Sequence, residues 1–261
     1  MRIASFDIGK KNLAFYVEDA NTERLLNLES KYNMILKKDR KRKGGILNPQ
    51  IKNILDELFL SGTHVDKGYG VFDIRNALLG KDNTVLEISN TLDVHVRANL
   101  FKLLESYMWL WKDCDVVCIE QQFFNSRGAN LDAIKIGECV FSWFVDNFYP
   151  FKVIEYFGSQ YKTQLLGAPH RIENKHGVWK LMSKQDRKNW SVEKAEEIFL
   201  LRNELSMATM FGNAKKGNRK KRQHLVFGKH KMDDIADCVI QTQAFKFKKI
   251  VAKIDFVNSV R

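Results

Sequence analysis

The sequence predicts an α/β fold, a mixed sheet with helices on its faces, and three observations lead to it. Residues 2–8 (RIASFDI) and 12–18 (NLAFYVE) read as two short strands joined by the tight turn Gly9-Lys10-Lys11, so the chain opens on an antiparallel hairpin. The run DVVCIE, ending at Glu120, is continuously apolar over strand length, as a doubly covered central strand is. Segments with apolar residues at helical spacing then alternate with strands, which is the pattern of a sheet layered with helices.

Each element follows in turn. Residues 24–95 carry a basic run, glycines at 44, 45, 62, 68, 70 and 80, and a helix-like patch at 50–60 (QIKNILDELFL); the expectation is a strand followed by an inserted excursion. From Val94 to Trp111 the residues Val96, Leu100, Leu103, Leu104, Met108 and Trp111 recur at helical spacing. After the DVVCIE strand, a long amphipathic helix is expected at about 130–147, stopped by Pro150, with FKVIEYF (151–157) as the next strand. A helix at 191–204 would take Ser191 as N-cap and Glu193 to Glu197 in its first turns. A second basic loop and a last helix at about 232–248 close the chain. Phe141, Trp143, Phe144 and Phe148 form a stripe for which burial in the core is the commoner explanation and a partner the rarer.

Composition narrows the function. With 261 residues, 44% of them hydrophobic and 28% charged, the chain is globular and fits a single domain with large insertions. No signal peptide and no run of about eighteen apolar residues is legible, so an intracellular, unsecreted protein without a membrane segment is expected. The net charge is +12. Residues 37–43 (KKDRKRK) hold six cations and one acid, and residues 215–222 (KKGNRKKR) hold six cations, so two short runs carry nearly all of the excess. Such concentration suits a polyanion gripped by loops, with a localisation-like signal or solvated loops as the plainer readings. Cys114, Cys118, Cys139 and Cys238 form no CxxC pair, which argues for ordinary buried thiols over a zinc site or disulfides.

Three acidic positions carry the chemistry. Asp7 lies inside a strand, where aspartate is disfavoured. Glu120 ends the most apolar strand, and Asp233, Asp234 and Asp237 open the last helix (KMDDIADCVIQ) at spacings that share one helical face. Carboxylates gathered at sheet and helix ends repel unless bridged, and hard divalent ions such as Mg2+ or Mn2+ would bridge them. Two ions can activate a water and stabilise the leaving oxygen in phosphodiester cleavage. Taken singly, each acid has a plainer reading: Asp233 and Asp234 as first-turn helix acids, Glu120 as a solvated strand end.

FDIGKKNLAF, VVCIEQQFFNSRGANLDAIKIGE and KMDDIADCVIQ, in that order, resemble the motifs of the poxvirus-type Holliday junction resolvases. These group with bacterial RuvC and fungal mitochondrial resolvases in the RNase H-like superfamily. The resemblance spans residues 1–20 and 96–250. It implies an RNase H-like five-stranded mixed sheet with helices on both faces, and a metal-dependent endonuclease that resolves four-way DNA junctions by paired symmetric cuts in recombination or viral genome processing. It further implies two Mg2+ ions per site, with Mn2+ able to substitute, no nucleotide cofactor, branched double-stranded DNA as substrate, and a homodimer with one site per scissile strand.

By the same resemblance, Asp7 matches the first-strand ligand, Glu120 the second, and Asp234 and Asp237 the last two, spaced three apart. Asp233 is then an extra acid beside the site. Lys162, in FGSQYKTQLLG, matches the catalytic lysine, and Gln121 lies near the second ligand without coordinating. A viral origin, with residence in host cytoplasm or a viral factory, follows only from the resemblance.

Two stretches depart from compact family members: a basic insertion at about 36–92 and an extended basic loop at about 206–230. Both are expected to track phosphates, through Lys37, Lys38, Arg40, Lys41, Arg42 and Lys43 in the first and Lys215, Lys216, Arg219, Lys220, Lys221 and Arg222 in the second. The alternatives are another RNase H-like nuclease acting on flaps, forks or RNA–DNA hybrids, an actin-like or sugar-kinase ATPase suggested by DIGKKN, and a binding module with a decayed site. The ATPase lacks its second glycine-rich phosphate loop after Glu120, and an intact set of four acids argues against decay.

Overall fold

The computed structural model describes residues 1–40, 47–75, 91–122, 130–158, 162–173, 177–217, 226–227 and 230–253. The chain begins with β1 (Arg2–Asp7) and β2 (Leu13–Ala20), then α1 (Thr22–Met34), a short 3-10 turn at Lys37–Asp39, α2 (Pro49–Phe59) and β3 (Gly62–Phe72). It continues with α3 (Val94–Ser106), α4 (Met108–Trp111), β4 (Val116–Gln121), α5 (Leu131–Phe148), β5 (Val153–Gly158) and the single turn α6 (Lys162–Leu165). A small hairpin of β6 (Arg171–Glu173) and β7 (Trp179–Leu181) leads to α7 (Lys184–Leu201) and α8 (Leu205–Gly217). The ladder of β8 (Val226–Phe227) and β9 (His230–Lys231) precedes α9 (Met232–Phe245), which passes into a π-helical turn at Lys246–Val251.

Five strands form one sheet in the order β3-β2-β1-β4-β5. β1 pairs parallel with β4 and β4 parallel with β5. With the short β1–β2 connection this is the mixed sheet the sequence predicts, in the α/β class. Among the described residues no helix is long and apolar enough to cross a membrane.

The chain divides into two compact units, one of Met1–Glu18 with His64–Ser159, the other of Asp19–Thr63 with Gln160–Arg261. In the first, α3, α4 and α5 cover one face of the sheet through a continuous core that includes Ala4, Phe6, Phe15, Val117, Ile119, Leu100, Trp111, Ile136 and Phe144. The Phe6 ring lies 5.3 Å from Trp111 and 5.4 Å from Phe144, in the tilted and edge-on arrangements that aromatic quadrupoles favour. The buried Trp111 indole N–H donates to Leu104 O at 2.8 Å, so no polar group is orphaned there. Phe144 is fully buried and Phe141 and Phe148 are packed on the same cluster, so the aromatic stripe of α5 serves the core. Cys114, Cys118 and Cys238 are buried and none of the four cysteines is in a disulfide; burial pushes the Cys114 thiol up to about 12, leaving it inert.

The second unit is built around α9, almost every residue of which is buried, with α6, α7 and α8 packed on it. A helix buried nearly all round is a core helix, and the polar residues it carries need partners there. The π-helical turn that continues it packs on α1, where the Tyr32 and Phe247 rings meet edge-on at 5.7 Å.

The structure corrects several expectations. The chain after Asn21 is helical, not extended: the Asn21 side chain caps α1, accepting from Arg24 N at 2.9 Å, and Leu25, Leu28 and Tyr32 form its buried stripe. The expected strand comes later, as β3, and joins the edge of the central sheet. Gly70 is a strand position where a ring must pass. A Cβ on Gly70 would stand 2.4 Å from Phe72, whose ring stacks on Phe15. The expected single helix at 94–111 breaks at Tyr107 into α3 and α4. Helix α7 starts at Lys184, not 191: Ser183 accepts from Asp186 N and Asp186 accepts from Ser183 N, a capping box. Ser191, expected as the cap, is buried in mid-helix. Part of the expected 206–230 loop is α8.

Candidate active site

In the first unit the acids come from register. Ile3 pairs with Val116 and Phe6 with Ile119 across the parallel β1–β4 ladder. Alternation sends Ala4, Phe6, Val117 and Ile119 into the core and the residues between them to the opposite face. One step beyond the Phe6–Ile119 pair, Asp7 and Glu120 therefore stand side by side at the C-terminal ends of neighbouring strands, on that opposite face. The strands are about 4.8 Å apart, so the two carboxylates share one local environment. Asp7 is half-buried and Glu120 is buried. Gln122 Nε2 donates to Glu120 Oε2 at 2.9 Å, whereas Gln121, the glutamine singled out from the sequence, is exposed. Lys10, in the turn after Asp7, holds Asp132 at the start of α5 at 2.6 Å.

In the second unit the acids come from helix geometry. Asp233 and Asp234 occupy the first turn of α9 and Asp237 the next, and lysines from three places meet them. Lys231, just before α9, donates to Asp234 Oδ2 at 2.9 Å and Oδ1 at 3.1 Å, and lies 3.5 Å from Asp233 Oδ2. Lys188, from α7, donates to Asp233 Oδ2 at 2.6 Å and reaches Asp234 Oδ1 at 3.4 Å. Lys162, the expected catalytic lysine, is buried on α6 with its Nζ 3.8 Å from Asp237 Oδ1.

The electrostatics follow from burial. Burial, then the neighbouring Asp233 charge, raises the Asp234 carboxyl above its ordinary value, with Lys231 and Lys188 pulling the other way. Burial pulls Lys188 down, but its bond to Asp233 and the charges of Asp233, Asp234 and Asp237 outweigh that and hold it above the ordinary lysine range. Asp233 Oδ1 is buried and accepts no hydrogen bond among the described residues.

Asp7 is thus brought to Glu120, and Lys162 to Asp237 on the helix that carries Asp234. Among the described residues no three acidic, histidine or cysteine side chains form a single group able to hold a metal ion. The donor set nonetheless fits hard divalent ions. It is all carboxylate oxygen, and the buried aspartates of α9 already need cations, which lysines supply.

Sequence reasoning missed Lys188 and Lys231. Lys188 is legible in principle, because with α7 starting after Ser183 it falls in line with the buried Val192, Ala195 and Phe199. A lysine on the apolar face of a helix calls for a buried acid.

The expected phosphate-binding cations are unevenly placed. Lys37 and Lys38 are exposed in the 3-10 turn. Arg40 is turned inward: its Nε donates to Ile35 O at 2.9 Å, its Nη2 to Asn33 O at 3.1 Å, and its guanidinium covers the Tyr32 ring. Arg40 closes the end of α1. Lys215 and Lys216 belong to α8. Lys41, Arg42, Lys43, Arg219, Lys220, Lys221 and Arg222 lie outside the described residues.

No protein-family model matches the chain. It is 28% identical over 197 residues, 75% of this chain and 84% of the relative, to Uncharacterized protein 97L of Invertebrate iridescent virus 3. Among solved structures it is similar to the Fowlpox virus resolvase in complex with substrate Holliday junction DNA, at 13% identity and a TM-score of 0.41, over 94% of this chain and 97% of that one.

Proposed function

We propose that this protein is an RNase H-like, metal-dependent, structure-specific endonuclease that resolves four-way DNA junctions by paired symmetric cleavage, in recombination or viral genome processing. The observation that carries the reading is the placement of Asp7 and Glu120, distant in sequence, at the ends of adjacent parallel strands on one face of the sheet. Open α/β sheets build their sites at the carboxyl ends of strands, and here that position holds two acids instead of the usual loop residues.

In this reading Asp7, Glu120, Asp234 and Asp237 hold two Mg2+ ions, for which Mn2+ substitutes. Ions held there would generate the attacking hydroxide and neutralise charge on the leaving oxygen. The protein's own work is positional. The β1–β4 register fixes two carboxylates, the first two turns of α9 fix two more, and Gln122 orients Glu120. Lys162, held by Asp237, supplies a fixed positive charge for the oxygens on which charge develops. Lys37 and Lys38, with the other cations of the two basic runs apart from Arg40, meet backbone phosphates. A homodimer would present one such site to each of two symmetry-related strands. The order of the three motifs in sequence supports the same reading.

The direct test is cleavage of an immobile four-way junction with Mg2+, against a linear duplex. Junction-restricted paired nicking supports the reading. Cleavage that prefers flaps, forks or hybrids keeps the nuclease and reassigns its substrate.

A further inference from the structure

The three lysines and three aspartates around α9 are balanced without any metal: Lys162, Lys188 and Lys231 against Asp233, Asp234 and Asp237. A divalent ion on Asp234 needs carboxylate oxygens that an ammonium already occupies, so the lysine that covers them must give them up. The geometry distinguishes which. Lys188 is committed to Asp233, at 2.6 Å, and reaches Asp234 only at 3.4 Å. Lys162 sits on Asp237. Lys231 covers both oxygens of Asp234, at 2.9 and 3.1 Å, and so occupies the electron pairs a metal would need. It also has somewhere to go, because Asp233 Oδ2 is only 3.5 Å from its Nζ and Asp233 Oδ1 is a buried acceptor without a donor among the described residues. The side chain of Asp233 is 8% exposed, so that oxygen does not face solvent.

We propose that Lys231 holds the place of a cation on Asp234 in the metal-free protein and passes to Asp233 when a divalent ion binds, so that Asp233 is a positioning residue and not a ligand. The inference rests on the metal site proposed above and gives the extra acid of the DDIAD motif its role. Lys188 steadies Asp233 in both states. An oxygen left without a donor costs stability in the metal-free state and is satisfied on metal binding.

The test is Mn2+ binding to full-length protein, read by the EPR signal of free Mn2+, together with thermal stability in EDTA. Lys231→Met removes the competitor and should bind Mn2+ on the order of tenfold more tightly while melting at lower temperature without metal. Asp233→Asn removes the charge that would hold Lys231 and should bind Mn2+ several-fold more weakly. The decisive variant combines them. If Asp233 acts only by receiving Lys231, its substitution has no effect on Mn2+ affinity in the Lys231→Met background. Equal weakening in both backgrounds would make Asp233 a ligand and overturn the proposal. Lys231→Gln, which keeps a neutral donor on Asp234, replaces Lys231→Met in the cycle if that variant does not fold, with the same two outcomes. Lys231→Arg, which keeps the charge, should retain wild-type affinity. Wild-type protein that binds no Mn2+ would overturn the metal site itself, and this proposal with it.

Discussion

At the residue scale the account turns on which carboxylates are chemically active and which are structural. Asp7 and Glu120 share one face of the sheet, and replacing either with its amide keeps the shape while removing a charge. Asp7→Asn and Glu120→Gln are expected to lower junction cleavage by at least about 100-fold, with junction affinity retained in a mobility-shift assay. Lost binding in step with lost cleavage would assign these acids to folding instead. Lys162→Met should lower cleavage by about 100-fold with junction affinity retained in a mobility-shift assay, since the lysine serves the charge that develops in the reaction. Arg40 is the opposite case. Legible in sequence as one more phosphate-binding cation, it folds back on Asn33, Ile35 and Tyr32, so Arg40→Ala should reduce thermal stability rather than DNA affinity.

At the element scale, what is legible in the sequence tracks the strength of local periodicity. The opening hairpin, the DVVCIE strand, α5 and α9 each lie within a few residues of where the sequence places them, because continuous or periodic apolar patterns determine them. Helix α1 is hidden because only Leu25, Leu28 and Tyr32 mark its buried face among polar neighbours. Strand β3 is hidden because glycine is a poor strand former, and the aromatic packing that requires Gly70 is visible only in three dimensions. The acids at strand and helix ends are all legible as individuals. Of their lysine partners Lys162 is named through the resemblance, whereas Lys188 and Lys231 arrive from α7 and the residue before α9 and their pairing shows only in three dimensions.

The start of α7 offers a sharp comparison of two serines. Ser183→Ala breaks the capping box and should cost about 1 kcal/mol in denaturant unfolding. Ser191→Ala should be neutral or slightly stabilising, because the Ser191 hydroxyl is buried with no hydrogen-bond partner among the described residues. The reverse order would restore Ser191 as the cap. The Ser183 hydroxyl and then its backbone N–H hold Asp186 below the ordinary carboxylate value. A depressed folded value means stabilisation that is complete above the unfolded carboxylate pKa and fades as pH falls through the folded one. Asp186→Asn should accordingly flatten the acid side of a melting-temperature profile below about pH 4.

At the scale of the whole molecule, the net charge of +12 concentrated in two short runs suits the proposed phosphate-backbone partner. Lys37→Ala with Lys38→Ala should reduce the slope of log affinity against log salt by about 0.9 for each phosphate that is no longer neutralised, and an unchanged slope would remove those two residues from the DNA interface. The proposed homodimer belongs to this scale too, because two symmetric cuts in one junction would require two sites acting together. The central claim is that one carboxylate site cleaves branched DNA with a divalent ion. The most direct measurement uses a four-way junction labelled on each strand in turn, with Mg2+ or EDTA, and wild-type or Asp7→Asn protein. The account predicts paired, symmetric nicks in the junction alone, with Mg2+ alone and in wild type alone. Cleavage that persists in EDTA or in Asp7→Asn, or no cleavage of any branched DNA, would contradict it.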